Sequence, residues 1–309
     1  MKDVDFKNAY FVKLGEGGKW EASSIQENKV RIGWIGWPID EINQRKWDDL
    51  KQKYRKTYKN EGSATKDINA LKNIVESTSD DIWITFYKNY LWWCRVGDPK
   101  IFEDKISNYR KVSSRWNNCD IIGQPLIINQ IPGSISKKQR FSGTICGFKE
   151  KEVDDLRRLL NNQPSRSHII IAEVKTKLIS EVEKGLKQLH WKDFEILVDL
   201  VFRNAGWRRT SVVGETMKYV DMELEEPITG DKYQVQIKSA ATVEDYEKYA
   251  KNFLPGKFCK LYFVVHSPQE KLANEKRRTY QGVELILPNR LAQMVVDFGL
   301  TEWLLKKIR

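Results

Sequence analysis

Glu195, Asp221, Gln236 and Lys238 bring two carboxylates, an amide carbonyl and a primary amine into one short stretch of the chain. Oxygen donors of this kind suit a hard divalent cation, Mg²⁺ or Mn²⁺, which keeps several waters and takes few protein carboxylates. Such an ion would hold a scissile phosphate, lower the pKa of an attacking water and neutralise developing charge. Lys238 would orient that water or stabilise pentavalent phosphorus. Asp221, Gln236 and Glu195 are the candidate metal ligands, and with Lys238 they are the candidate catalytic residues.

The elements around them must put these groups at one place. Phe194, Leu197, Val198, Val201 and Phe202 have helical spacing, with one face turned to a core, and Gly206 suits a left-handed stop. Val220-Asp221-Met222-Glu223-Leu224-Glu225 alternates apolar and acidic, as a half-buried strand does. Thr229-Gly230-Asp231-Lys232 supplies turn chemistry, and Tyr233-Gln234-Val235-Gln236-Ile237-Lys238 returns as a second strand. Alternate side chains share a face, so Gln236 and Lys238 lie opposite Val235 and Ile237. In a hairpin, Asp221 joins them at one sheet end, and Glu195 adds a carboxylate from the neighbouring helix. Any one such residue is usually just solvated; the order of all four is the signal.

This segment resembles the catalytic core of the PD-(D/E)xK nuclease superfamily, and most of all its Mrr-type restriction endonuclease branch. The carrying features are the Phe194-Glu195 helix opening, Gly206-Trp207, Asp221, and Gln236-x-Lys238. The likeness spans residues 191–265, and the C-terminal tail more loosely. It departs in two places: Thr216-Met217-Lys218-Tyr219 stands where a glycine-rich turn often precedes the aspartate, and Gln236 stands where most of the superfamily is acidic. The glutamine is familiar in the Mrr branch; it lowers the negative charge of the site and gives Glu195 more weight. The resemblance implies a restriction-endonuclease-like α/β sandwich with a central mixed sheet.

The chain of 309 residues is long enough for two domains. Its net charge of +11 fits a polyanionic partner. No apolar run reaches the ~18 residues that span a bilayer, and Met1-Lys2-Asp3-Val4-Asp5 leads into mixed sequence without a signal-peptide core. A soluble, cytoplasmic protein with no membrane partner is expected. Cys94, Cys119, Cys146 and Cys259 are scattered, which speaks against zinc and against a disulfide framework. His168, His190 and His266 do not cluster with them.

In the first half, residues 8–14 read as a strand closed by Gly15-Glu16-Gly17-Gly18, expected to be a plain hairpin turn with no helix opening after it. Residues 29–37 form the next strand, ended by Pro38. Residues 40–76 read as helical, and Lys51, Lys53, Arg55, Lys56 and Lys59, interleaved with Tyr54 and Tyr58, could follow a nucleic-acid backbone or simply face water. Lys88-Asn89 joins two strands at hairpin spacing. Further strands are expected near residues 125–128 and 142–146, and a short helix over residues 153–160.

Eight of the eleven tryptophans (20, 34, 37, 47, 83, 92, 93 and 116) fall in this half. Most tryptophans serve cores, but such a surplus could also stack an extruded base. Trp20, Trp34, Trp83, Trp93 and Trp116 are the candidates. Asp81-Ile82-Trp83-Ile84, Tyr90-Leu91-Trp92-Trp93 and Phe141-Ser142-Gly143-Thr144 loosely resemble PUA-like modules such as the EVE and YTH groups. That resemblance implies a mixed α+β PUA-like barrel that reads modified or unpaired bases.

The expected organisation is therefore a two-domain α/β protein: a nucleic-acid-reading domain over residues 1–160, a linker and lead-in helix over 161–190, and a nuclease domain over 191–309. The expected activity is Mg²⁺- or Mn²⁺-dependent endonucleolytic cleavage of DNA, in restriction, with modified cytosine as the expected mark. Cutting both strands calls for a homodimer or higher oligomer on DNA. A repair or recombination nuclease that reads DNA shape, and a non-catalytic nucleic-acid binder with a decayed nuclease fold, remain as alternatives.

Overall fold

The computed structural model describes residues 3–55, 61–210, 221–253, 255–274 and 280–309. Lys56, Tyr58, Lys59, the Thr216-Met217-Lys218-Tyr219 stretch and Val220 lie outside them, as does the side chain of Arg55. The chain divides into two compact units, Met1–Ser165 and Arg166–Arg309.

In the first unit the order is β1 (Ala9–Val12), α1 (Glu21–Glu27), β2 (Lys29–Gly33), α2 (Ile39–Asn43), α3 (Trp47–Arg55), α4 (Glu61–Glu76), β3 (Ile82–Tyr87), β4 (Tyr90–Cys94), β5 (Val96–Glu103), β6 (Asn108–Val112), α5 (Gly133–Ser136), β7 (Ile145–Gly147) and α6 (Glu150–Leu160). Among the described residues, one sheet runs β4-β3-β1-β7 and a second runs β2-β6-β5. Alternation along β1 and β3 feeds two cores. Phe11 and Ile84 pack with Val153, Leu156 and Leu160 of α6. Val12 and Trp83 pack on the other face with Leu50, Leu71 and Ile74 of α3 and α4, and with Val30 and Ile32 of β2.

The expected PUA-like barrel is not closed. The outer edge of β4 meets only single bridges, Tyr90 with Ile127 and Trp93 with Asn117, and no strand completes the ring among the described residues. Ile127 sits in such a bridge rather than in the strand expected at residues 125–128, and only Ile145–Gly147 forms near residues 142–146. The glycine-rich turn also departs from expectation. Gly15, Gly17 and Gly18 all have positive φ, and the turn leads into α1 rather than back as a hairpin.

The second unit contains α7 (Arg166–Leu186), α8 (Trp191–Asn204), β8 (Arg208–Arg209), β9 (Met222–Glu225), β10 (Lys232–Ala241), α9 (Val243–Asn252), β11 (Lys260–Pro268), α10 (Glu270–Asn274), β12 (Val283–Ile286), α11 (Pro288–Asp297) and α12 (Thr301–Lys307). Its mixed sheet runs β12-β11-β10-β9-β8, with β10, β11 and β12 parallel and β9 antiparallel to β10. Val235, Ile237 and Val264 face a core with α7, α8 and α11. Phe263 and Val265 face the other way, with Tyr246 and Ala250 of α9. Helices thus cover both faces, which explains the almost unbroken apolar run of β11.

Candidate active site

Helix α8 buries Phe194, Leu197, Val198, Val201 and Phe202 in the core and leaves Glu195 half-buried at the side of that stripe. Gly206, at φ 93°, turns the chain out of the helix, and Trp207 packs edge-on against Tyr233 with ring centroids 4.4 Å apart. That anchor places Arg208 and Arg209 as a short edge strand on β9. Asp221 stands just before β9, where its N–H donates to the Val235 carbonyl at 3.1 Å. The antiparallel register of β9 and β10 sets it beside Gln236.

There the Asp221 Oδ2 accepts from Gln236 Nε2 at 2.6 Å and from the Ile237 N–H at 2.5 Å. Gln236 is 2% exposed, and its Oε1 is buried without a hydrogen-bond partner. Lys238 lies over the Tyr249 ring, 5.3 Å from its centroid, close enough for its charge to favour ionised Asp221. Burial nevertheless raises the Asp221 pKa above its ordinary value. Glu195 is also raised, first by burial and then by the negative charge of Asp221. The structure thus brings Glu195, Asp221, Gln236 and Lys238 together.

Residues 186–295 match the restriction endonuclease family Mrr_cat. The match takes in the end of α7, all of α8, the hairpin with Asp221 and Gln236, and most of α11. No curated protein matches the chain. One solved structure, the MspJI restriction endonuclease in complex with a 27-mer oligonucleotide, is similar at 13% identity and a TM-score of 0.24, covering 81% of this chain and 69% of that one. Similarity that low carries no argument about fold or chemistry.

The donors in the Mrr_cat segment fit a hard cation. The Asp221 carboxylate, the Glu195 carboxylate and the unpartnered Gln236 Oε1 are all oxygens, two of them on groups that burial pushes toward neutrality. A bound positive charge would relieve that cost and give the amide oxygen a partner. No group of three His, Cys, Asp or Glu side chains placed to hold a metal occurs among the described residues; the oxygens gathered here come from two carboxylates and one amide.

Arg209 was not legible as a site residue. Its Nη2 donates to the Asp221 carbonyl at 3.5 Å, its Nη1 lies 3.9 Å from Asp199 Oδ1, and its charge favours the ionised forms of Asp221 and Glu195. The only hint in the sequence is the Arg208-Arg209 pair directly after Gly206-Trp207. A cavity of about 740 Å³ opens at the start of β10, lined by Lys232, Phe253 and Cys259, and no candidate site residue belongs to it.

The five tryptophans proposed as a base pocket do not gather. Trp83 is fully buried, stacked on Tyr10 at 4.8 Å, with its Nε1 donating to Ser77 Oγ. Trp116 is buried and donates to the Lys29 carbonyl at 3.2 Å, and Trp93 donates to the Cys119 carbonyl at 2.9 Å. Trp20 and Trp34 do share a cavity of about 340 Å³ with Lys13, Glu16, Lys19 and Thr144. Trp34 sits at φ 54°, a strained conformation for an aromatic residue. Of the basic tract, Lys51 is half-buried in α3 and Lys53 pairs with Glu41 at 3.2 Å, while Tyr54 stacks on Trp37 at 3.9 Å.

Proposed function

We propose that the chain is a Mg²⁺- or Mn²⁺-dependent DNA endonuclease of restriction type. The observation that carries this reading is the meeting of Asp221, Glu195, Lys238 and the unpartnered Gln236 Oε1 inside an Mrr_cat segment. Asp221, Gln236 and Glu195 would hold the ion. Bound there, it would supply Lewis-acid activation of a water and neutralisation of the phosphate. The chain's own groups do the rest. The Ile237 N–H and Gln236 Nε2 fix one Asp221 oxygen in place, and Lys238 offers the cation that meets the phosphate. Arg209 adds a positive charge that favours the ionised form of both carboxylates, against the burial that raises them.

The N-terminal unit would choose the target. The cavity between Trp20 and Trp34 supports a base-reading role, with modified cytosine as the proposed mark; Lys51 and Lys53 would follow the backbone. Two copies would pair so that both strands are cut. The test is incubation with matched unmodified and cytosine-modified duplexes plus Mg²⁺, followed by mapping of the ends. Cleavage lost in Asp221→Asn and Lys238→Ala, with the modified duplex preferred, is the expected result. Cleavage that survives both substitutions would overturn the site. Equal cutting of both duplexes would remove the mark while leaving the nuclease standing.

A further inference from the structure

Helix α7 is packed along only part of its length. Val182 and Leu186 are buried in the core, and α11 runs antiparallel beside the helix, with Asn289 donating to Glu183 and Lys175 paired with Asp297 at 2.7 Å. Asp297 is the last residue of α11. The nine residues 166–174 therefore reach past its end, about 13 Å of helix at 1.5 Å per residue. This overhang is apolar where a solvated helix should be polar: Ile170, Ile171 and Val174 are 48%, 67% and 60% exposed, and Leu178 extends the stripe.

The stripe complements itself. At 100° per residue, Ile170, Val174 and Leu178 share one side of the helix. If a two-fold axis crosses α7 at Val174, an antiparallel second helix sets Ile170 against Leu178 of the other copy and Val174 against itself. The charges along one flank then match: Glu173 meets Lys177 of the second copy, and Arg166 meets its Glu181. Both pairs recur by symmetry, as an isologous contact requires. Parallel pairing has no such match, since it sets Glu173 beside Glu173 at the same height.

We infer that the exposed stripe of α7 from Ile170 to Leu178, half of it on the overhang, is the surface by which two copies of this chain pair, antiparallel and centred on Val174. The inference rests on the paired-copy reading above for its purpose, and on α7 alone for its geometry. Four turns of paired helix bury less than the ~800 Å² per partner of a standard interface, so a dissociation constant of about 1–10 μM is expected.

The test is sedimentation equilibrium of the full chain without DNA, from about 1 to 100 μM. The wild type should be a dimer at the upper end. Val174→Glu sets two like charges on the axis and should weaken pairing by about 10-fold or more. Lys177→Glu should weaken it too, and adding Glu173→Lys should restore it. Under mild oxidation Val174→Cys should give a disulfide-linked dimer; Ile169→Cys, whose side chain leaves the other side of the helix, should not. These positions are exposed, and an unchanged melting temperature confirms that the fold is kept. A monomer at 100 μM, a dimer indifferent to Val174→Glu, or a charge swap that fails to restore pairing would each overturn the inference. A chain that cuts DNA but stays monomeric sinks this surface alone; a dimer that cuts nothing sinks the nuclease reading alone.

Discussion

Asp104 and Glu152 in the N-terminal unit and Asp221 and Glu195 in the C-terminal unit are met in opposite ways. In the N-terminal unit both oxygens of Asp104 are met: Oδ1 by Arg31 at 2.9 Å and by the Ile106 and Ser107 N–H groups, and Oδ2 by Lys29 and Arg31. Glu152 accepts from Lys137 at 2.6 Å, Lys138 at 2.9 Å and the Lys149 N–H at 2.8 Å. Asp104 is held well below the usual carboxylate range, and Glu152 stands at about 2. Around Asp221 the sign reverses. Burial outweighs the donors, Asp221 and Glu195 are both raised, and a neighbouring amide oxygen goes unpartnered. A carboxylate that holds a fold together is satisfied by the chain itself. One that is left under-satisfied leaves room for a positive partner, and that asymmetry supports the cation site proposed in the C-terminal unit.

The sharpest way to break this contrast is to remove one charge from each side. Asp221→Asn should lower DNA cleavage by about 10³-fold or more while the melting temperature holds or rises, because an under-satisfied buried charge has been deleted. Asp104→Ala should do the reverse in the other unit. It leaves Arg31, buried at 1% side-chain exposure, with Glu27 as its remaining carboxylate and the Ser107 hydroxyl beside it, and should cost about 2–3 kcal/mol of stability in denaturant titration. If Asp221→Asn destabilises as much as Asp104→Ala, the two carboxylates are doing the same job and the comparison fails.

How much of this could be read from the chain follows the same divide. The α8 stripe and the β9–β10 alternation are local patterns, so Glu195, Asp221, Gln236 and Lys238 could be placed by periodicity and a single turn. Arg209 could not, because its position depends on a two-residue strand whose partner, β9, lies beyond residues 211–220. The tryptophans failed for a different reason. Which way Trp83 points is set by the pairing of Tyr10 with Trp83 across β1 and β3, a contact between residues 73 positions apart that no local pattern encodes. Barrel closure is likewise decided at strand edges, and the β4 edge is occupied by Asn117 and Ile127 of a connecting loop. The glycine-rich approach to α1 has the composition of a hairpin turn, and that hides the helix from any local pattern.

Acid should separate the units by a smaller margin. Burial alone would raise Glu152, but Lys137, Lys138 and the Lys149 N–H hold it at about 2 against an ordinary value near 4.5. A depressed pKa contributes stability that is complete above the unfolded value and is lost as pH falls through the folded one. The N-terminal unit should therefore lose about 2 kcal/mol between pH 4.5 and 2, part of the full shift being screened at the exposed Lys137. Glu152→Gln should flatten that limb of the curve, followed by near-ultraviolet circular dichroism of the tryptophan-rich unit. An unchanged acid limb would mean that the Glu152 pairs contribute nothing net.

The smallest effect tests the orphan oxygen directly. If Gln236 Oε1 and the two raised carboxylates await a cation, Mn²⁺ at about ten times its dissociation constant should stabilise the chain by roughly 1.4 kcal/mol. Asp221→Asn should abolish the gain, and Gln236→Met, which keeps the length of the side chain and removes its oxygen, should reduce it. Asp104→Ala should leave the increment untouched even though it lowers the starting stability, because its partners are protein groups. The comparison turns on that difference in response rather than on absolute melting temperatures. A Gln236→Met chain that gains as much from Mn²⁺ as the wild type would show that the amide oxygen is no donor, and would leave Asp221 and Glu195 to hold the ion as a carboxylate pair.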